Sequence, residues 1–182
     1  MFSLPAAGVP DSIERIVRLA QRGDEAAFSQ IVRLHHADMV RVAYLVCGDL
    51  DIAEDGVASA WPLAWRRLPS LRDPERLRPW LCSIAANEAR QILRNQRRRT
   101  VREIAVSRDE TAAGDPAAGV GDLDLAAALA KLGPEDRALL ALRYVAGLNS
   151  SELGRALGRS PSGTRARLGR LLERLRKELG DV

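Results

Sequence analysis

The 182-residue sequence predicts an all-α protein of two small helical domains joined by a flexible linker. Three observations carry this. Leu and Ala, strong helix formers, fill most apolar positions, while the aromatic residues that strands favour make up only 4%. Apolar residues recur at three- and four-residue spacing through most of 11–99 and again through 123–182. Between them, 100–122 loses that period, is rich in Ala, Gly, Asp and Glu, and contains the helix-breaking Asp115-Pro116 pair. A structureless stretch of that length belongs between domains rather than inside one.

Residues 1–10 contain Pro and Gly and are read as frayed. Asp11-Ser12 caps a first helix reaching Arg22, with Ile13, Ile16, Val17 and Ala20 on one face. Gly23-Asp24 ends it and starts a second, in which Phe28, Ile31, Val32, Leu34, Met39, Val42, Ala43 and Val46 recur to about Cys47. Gly48-Asp49 breaks again. A third helix is predicted from Asp51 to Leu68, with Pro62 expected to kink or restart it. Residues 69–79 form a proline-punctuated loop, in which Asp73-Pro74-Glu75 looks like a cap followed by Pro at the first helical position. A fourth helix is predicted from Trp80 to about Arg99, with Leu81, Ile84, Ala85, Ala89, Ile92 and Leu93 inward. Beyond the linker, helices are predicted at 125–132, 134–146, 150–157 and 160–179.

Composition narrows the function. The net charge is +4 with a pI of 9.7, and Lys131 and Lys177 are the only lysines. Arginine is a permanent, planar donor suited to phosphates and guanine edges, although a GC-rich genome gives the same bias, so position must decide. Cys47 and Cys82 lie far apart in apolar contexts and read as buried free thiols of a reducing cytoplasm. No His or second Cys lies at ligand spacing from either, and His35-His36 point about 100° apart on a helix, so no metal site is expected. No apolar run is long enough to span a membrane, and no export signal is read at the N-terminus. Neither a phosphate loop nor a nucleophile–base pair is present in the sequence, so the protein is read as a non-enzyme without cofactor.

The stretch from Arg137 onward has the grammar of a helix-turn-helix. Gly147 supplies a left-handed turn, Asn149 or Ser150 caps the next helix, and Glu152 sits where a capping box requires it. Leu153, Ala156 and Leu157 face inward, and Gly158 turns the chain. Ser160-Pro161 opens the last helix, whose Leu168, Leu171, Leu172, Leu175 and Leu179 form one stripe. The opposite face carries Ser162, Gly163, Ala166, Gly169, Arg170 and Glu173, flanked by Arg165 and Arg167. Small residues there would let the backbone approach a major groove, with the arginines reaching phosphates or base edges. The bland alternative is an amphipathic helix with solvated arginines, against which turn, cap, small face and arginines occur together. A second basic surface lies at 89–102, where six arginines occur with no acid.

Asp51-Ile52-Ala53-Glu54-Asp55, with Ala60-Trp61 and Trp65-Arg66-Arg67-Leu68, resembles conserved region 2 of bacterial sigma-70-type factors of the extracytoplasmic-function (ECF) group. The run from Arg78 to Arg90 resembles that region's promoter-melting segment, and Arg143–Leu148 with Ser160–Arg170 resembles region 4. The resemblance covers about 11–99 and 123–179, in family order with a linker between. It implies a factor that binds core RNA polymerase, recognises −10 and −35 promoter elements and starts transcription of a specific gene set. The third helix, around Asp51, Glu54 and Asp55, would dock on the clamp of the largest polymerase subunit. The loop 69–79 and the fourth helix, through Arg72, Arg78, Trp80, Asn87, Arg90 and Arg94, would hold a flipped base of the melted −10 strand. Trp80 is either a stacking platform or core. The last helix would read −35 duplex through Ser160, Ser162, Arg165, Ala166, Arg167, Gly169 and Arg170, with its domain on the flap of the second-largest subunit. Family habit also implies an anti-sigma factor as partner; no further C-terminal domain is expected, so regulation would come from a separate protein.

Gly56-Val57-Ala58-Ser59 departs from the Leu-Val-Gln-Glu-like run usual in the family, and Thr164, Ala166 and Gly169 depart in the last helix. One rival reading is a free-standing helix-turn-helix regulator that does not use polymerase; another is a helical adaptor whose arginines only solubilise it. The Arg90–Arg102 run beside Trp80–Asn87 argues against both, since neither needs a basic single-strand surface there.

Overall fold

A computed structural model describes residues 13–104, 128–129 and 131–180. The stretch from 105 to 122, most of the expected linker, and residues 125–127 and 130 of the helix expected at 125–132 lie outside the described residues, as does the frayed segment expected at 1–10. The described residues are helical and contain no strand. The helices are α1 (Ile13–Gln21), α2 (Glu25–Cys47), α3 (Leu50–Arg67), α4 (Leu77–Ile104), α5 (Pro134–Leu140), α6 (Ser150–Leu157) and α7 (Pro161–Gly180).

Short polar residues set the breaks. Asp24 accepts from Ala27 N at 2.8 Å to start α2, and Asp49 accepts from Ile52 N at 2.9 Å to start α3. Gly48 between them sits at φ 76°, donating its N–H to Tyr44 O at 2.7 Å, the left-handed ending that a side chain disfavours. Pro62 neither kinks the element into two nor restarts it: α3 is continuous, and Pro62 lies exposed with Ala58 one turn before it. On that face water can satisfy the carbonyl that loses its helical donor. Helix α4 is longer than the sequence pattern indicates. It begins at Leu77, tolerating Pro79 in its first turn, and its backbone continues to Ile104 into residues expected to be linker.

Helices α2, α3 and α4 enclose an N-terminal core of Ile31, Met39, Ala43, Val57, Leu68, Leu77 and Leu81, all essentially inaccessible. Alanines at 53, 60, 64, 85 and 89 let the helices approach closely. The crossing of α3 and α4 is tightest at Gly56, where a Cβ would lie 3.1 Å from Ala89 N and 3.2 Å from Ala89 Cα. Phe28 packs edge-on against Trp61 and Trp65 at centroid distances of 5.8 and 4.7 Å. Leu34, counted by spacing among the apolar face of α2, is instead 58% exposed.

The expected domain division is blurred by a second core. Val42 and Val46 of α2 and Cys82 and Ala86 of α4 are buried with Leu139, Leu142, Leu148, Leu153 and Leu171 of the C-terminal unit. The two units therefore share apolar surface. The helix expected over 134–146 is α only to Leu140 and closes through a π turn, Ala141–Val145, in which Ala146 N donates to Ala141 O at 3.0 Å.

Candidate nucleic-acid interface

The helix-turn-helix is built as its sequence indicates. Asn149 is the cap, accepting from Ser151 N and Glu152 N at 3.0 Å each, and Glu152 accepts from Asn149 N at 2.8 Å to complete the capping box. Gly147 and Gly158 both adopt positive φ, 76° and 67°. Ser160 Oγ accepts from Gly163 N at 3.1 Å, and Thr164 Oγ1 donates to Ser160 O at 2.9 Å, which explains why Thr164 is buried within the motif. Leu171 and Leu175 are buried, Leu168 and Leu172 half-buried, and Leu179 is 37% exposed at the end of the stripe.

Of the −35 candidates, Ser160, Ser162, Arg165, Ala166, Gly169 and Arg170 all lie exposed at the start and along the outer face of α7. A Cβ on Gly169 would meet nothing within 4 Å, so packing within the chain does not require glycine there. Arg167 is placed differently. Its Nε donates to Asp136 Oδ1 of α5 at 2.7 Å, so it braces α7 against α5.

Three of the six −10 candidates meet at one cleft of about 630 Å³ between the loop 68–76, the start of α4 and α6; Arg78, Arg90 and Arg94 do not line it. Arg72, Trp80 and Asn87 line it, as do Arg76, Leu148, Glu152 and Arg155. Gln21 fixes the loop by donating to Leu68 O at 3.1 Å and Leu71 O at 2.7 Å. Asp73 accepts from Glu75 N at 3.0 Å ahead of Pro74, the cap the sequence indicates. Trp80 is half-buried: it packs on the N-terminal core and lines the cleft.

Arg78, Arg90 and Arg94 are engaged. Arg78 donates to Asp38 at 2.6 and 3.0 Å and to Val145 O at 3.1 Å. That guanidinium holds the Asp38 carboxyl below the usual range. Arg90, only 7% exposed, donates to Asn87 Oδ1 at 2.8 Å and to both oxygens of Glu135. Arg94 donates to Gln91 Oε1 at 2.7 Å and lies 3.9 Å from Glu135. Burial alone would push the Glu135 carboxyl up, but hydrogen bonding and charge from Arg90, with Arg94 and Arg159 behind, leave it depressed. Arg76, which is not among the sequence candidates, donates to both oxygens of Glu152 and to Gly147 O at 3.1 Å. The alternation of arginines at 72, 76 and 78 was the available signal.

The polymerase candidates Asp51, Glu54 and Asp55 lie exposed on α3, next to Leu50, itself 54% exposed. His36 Nδ1 accepts from Trp61 Nε1 at 3.2 Å, and burial lowers the His35 pKa, partly offset by Asp38; both His35 ring nitrogens are buried without a hydrogen-bond partner. Burial raises both thiols, that of Cys82 to about 12, so neither is a thiolate near neutral pH. Among the described residues no helix is long and apolar enough to cross a membrane.

A helix-turn-helix with an open, small-residue outer face, joined to a helical unit with an arginine-lined cleft, defines a two-part nucleic-acid-binding protein. Comparison with known proteins makes the class specific. The Sigma-70 region 2 family profile matches residues 31–99 and the Sigma-70 region 4 profile residues 128–177. The chain is 34% identical over 138 residues to the RNA polymerase sigma factor CarQ of Myxococcus xanthus, covering 72% of this chain and 76% of that one. It is 31% identical over 168 residues to a probable RNA polymerase sigma factor, RfaY, of Xanthomonas campestris pv. campestris, covering 88% of this chain and 42% of that one. It is 30% identical to the ECF RNA polymerase sigma factor SigE of Mycolicibacterium smegmatis, covering 86% of this chain and 64% of that one. The chain thus spans less than half of one of these relatives and between three-fifths and four-fifths of the other two. In three dimensions it is similar to the sigma factor RpoE in a co-crystal with the anti-sigma factor NepR from Bartonella quintana, with TM-score 0.67 and 25% identity, covering 84% of this chain and 96% of that one. The chain belongs to the sigma-70 family of RNA polymerase sigma factors, in the ECF group.

Proposed function

We propose that the chain acts in the cytoplasm as an alternative sigma factor. It binds core RNA polymerase, recognises −10 and −35 elements, and initiates transcription without catalysing a reaction itself. The observation that carries this is the pairing in one chain of a cleft to which the region 2 match contributes Arg72, Arg76, Trp80 and Asn87 with an exposed recognition helix inside the region 4 match. Asp51, Glu54 and Asp55 are assigned to the polymerase clamp, the cleft to a flipped −10 base, and the outer face of α7 to −35 duplex. Region 2 is assigned to 11–99 and region 4 to 123–182, and an anti-sigma protein is a partner of the kind seen with RpoE. The test is capture of bacterial core polymerase followed by run-off transcription from genomic fragments. Stoichiometric capture with new, discrete start sites supports the reading. Retained duplex binding without polymerase capture moves the chain to the free-standing regulators.

Three substitutions probe the assignments. Arg170→Ala should weaken −35 duplex binding by about 1–3 kcal/mol and leave polymerase capture unchanged; equal loss of capture sinks the assignment of α7. Asn87→Ala should slow promoter melting, read by permanganate reactivity, more than it weakens the closed complex. Equal loss at both stages removes Asn87 from the base pocket. Gly169→Ala should raise helix stability by roughly 0.5–1 kcal/mol, because the position is exposed and unobstructed. The same change should weaken −35 binding by placing a methyl against the groove; unchanged affinity with a higher melting temperature excludes close approach at Gly169.

A further inference from the structure

One wall of the cleft is the segment 67–73, of which Arg67, Ser70, Leu71, Arg72 and Asp73 are lining residues. Within the segment the hydrogen bonds are local. Leu68–Ser70 makes one 3₁₀ turn, closed by Leu71 N donating to Leu68 O at 3.0 Å, and Ser70 Oγ donates to Arg67 O at 2.7 Å. Leu68 is fully buried and Leu71 half-buried on the N-terminal core. So short a 3₁₀ turn has poor hydrogen-bond geometry, and surface turns open at low cost. Gln21 reaches this wall from behind. It is the last residue of α1, next to Ala20 and one turn beyond Val17, both buried, so its side chain leaves the border of the face that docks α1. Its Nε2 donates to Leu68 O at 3.1 Å and to Leu71 O at 2.7 Å, the carbonyls at the two ends of the turn. Of the neutral side chains, only Asn and Gln offer two donors on one nitrogen. Gln21 does not itself line the cleft, and it lies ahead of the region 2 match at 31–99.

We propose that Gln21 is a positioning residue for −10 recognition: by clamping both ends of the Leu68–Leu71 turn it sets the shape of the wall that meets the flipped base. The inference rests on the sigma-factor reading above for the role of the cleft. With the amide in place, the wall is ordered before the strand arrives, and binding does not have to order it. Without the amide, apparent affinity falls with the fraction of chains whose wall is already in shape. Sequence-specific binding alone carries this dependence. A strand held through its phosphates needs no ordered base pocket. The first helix therefore acts on −10 selectivity through the wall, without touching the strand.

The test uses the full chain carrying Gln21→Met or Gln21→Glu, both close to Gln in size and neither able to donate at that position when Glu is ionised. Two fluorescent single strands serve as probes: the non-template strand across the −10 element of a promoter mapped by run-off, and a scrambled strand of the same composition. Each neutral hydrogen bond shifts an equilibrium by roughly two- to tenfold, so losing two should weaken binding of the mapped strand by at least about fourfold. In Gln21→Met, binding of the scrambled strand, −35 duplex binding and polymerase capture should stay unchanged. Amide hydrogen exchange should quicken at Leu71 and stay as in the wild type at Leu81, in the core of α4. Equal loss on both strands means less folded protein and overturns the proposal. So does faster Leu71 exchange with the strand preference intact, which makes the clamp irrelevant to recognition. Lost preference with unchanged Leu71 exchange also overturns it, because Gln21 would then act on the strand directly. If Gln21→Met misfolds, Gln21→Glu carries the same test through the ratio of the two affinities, since its added charge acts on both strands alike. A wild-type chain that captures no polymerase and does not distinguish the strands fails the underlying reading. Failure of the inference alone leaves the wild-type preference in place and the variants sharing it.

Discussion

Replacing Gly154 with valine is expected to disable the recognition motif while leaving the N-terminal unit folded. Gly154 lies in α6 with ordinary helical φ, so its requirement for glycine is spatial rather than conformational. A Cβ there would lie 2.7 Å from Arg159 O, 3.3 Å from Pro161 N and 3.4 Å from Ser160 C. All three are backbone atoms of the turn that starts α7, and Gly154 O accepts from Arg159 N at 2.8 Å in the same turn. No flexible side chain is available to move aside, so α6 and the start of α7 must separate. Overpacking a tight core costs typically 1–3 kcal/mol, and a collision with backbone belongs at the upper end. For a chain of this size about 3 kcal/mol lowers the melting temperature by roughly 6–12 °C. Loss of −35 duplex binding should accompany the fall. Gly158→Ala, strained by φ 67° but meeting nothing within 4 Å, should cost less. If Gly154→Val melts like the wild type, the turn is looser than described.

Much of this architecture was legible because its signals are local. Asp24, Asp49 and Asn149 start helices by accepting from N–H groups two or three residues away, and Gly48, Gly147 and Gly158 end or turn segments through their own φ. The misread boundaries share a physical origin. Proline was weighed as a breaker at 62 and 79, yet one lies on a solvated face and the other in a first turn, where its missing N–H matters little. The π turn at 141–145 leaves no periodic mark in so short a segment.

The site was legible in composition and illegible in pairing. The six arginines of 89–102 marked a basic surface, but nothing local indicates that Glu135, 45 residues from Arg90, meets it. Arg167 was grouped with the DNA face by its place on the last helix and by the family resemblance, and nothing local indicates that its Nε donates to Asp136, 31 residues away. Val42 and Val46 fall on the apolar face of their own helix and Cys82 reads as a buried thiol, and they are buried, but against the other unit. Helical period says that a face is covered, not by which partner.

Gly56→Leu should be the most damaging change in the N-terminal unit, although leucine is the residue that the family run would place there. Gly56 is buried on α3 against the backbone of Ala89 in α4, with Ala89 N and Cα 3.1 and 3.2 Å from a Cβ. A whole isobutyl group has no route past those atoms. Helices α3 and α4 must then move apart along Ala53, Val57, Ala60, Ala85 and Ala89, which are all buried at this crossing. The expected loss is 3 kcal/mol or more, about 6 °C at least in melting temperature. Ala58→Gln, which restores a family-like residue on the exposed side of the same turn, should stay within about 0.5 kcal/mol of the parent. The contrast bears on function, because α3 also presents Asp51, Glu54 and Asp55, and α4 carries Trp80, Asn87 and Arg90. One small residue sets the distance between the proposed polymerase-docking face and the proposed strand-binding cleft. Polymerase capture and −10 strand binding should therefore fall together in Gly56→Leu and persist in Ala58→Gln. Loss of capture in Ala58→Gln with its fold intact would instead place position 58 in the polymerase contact itself.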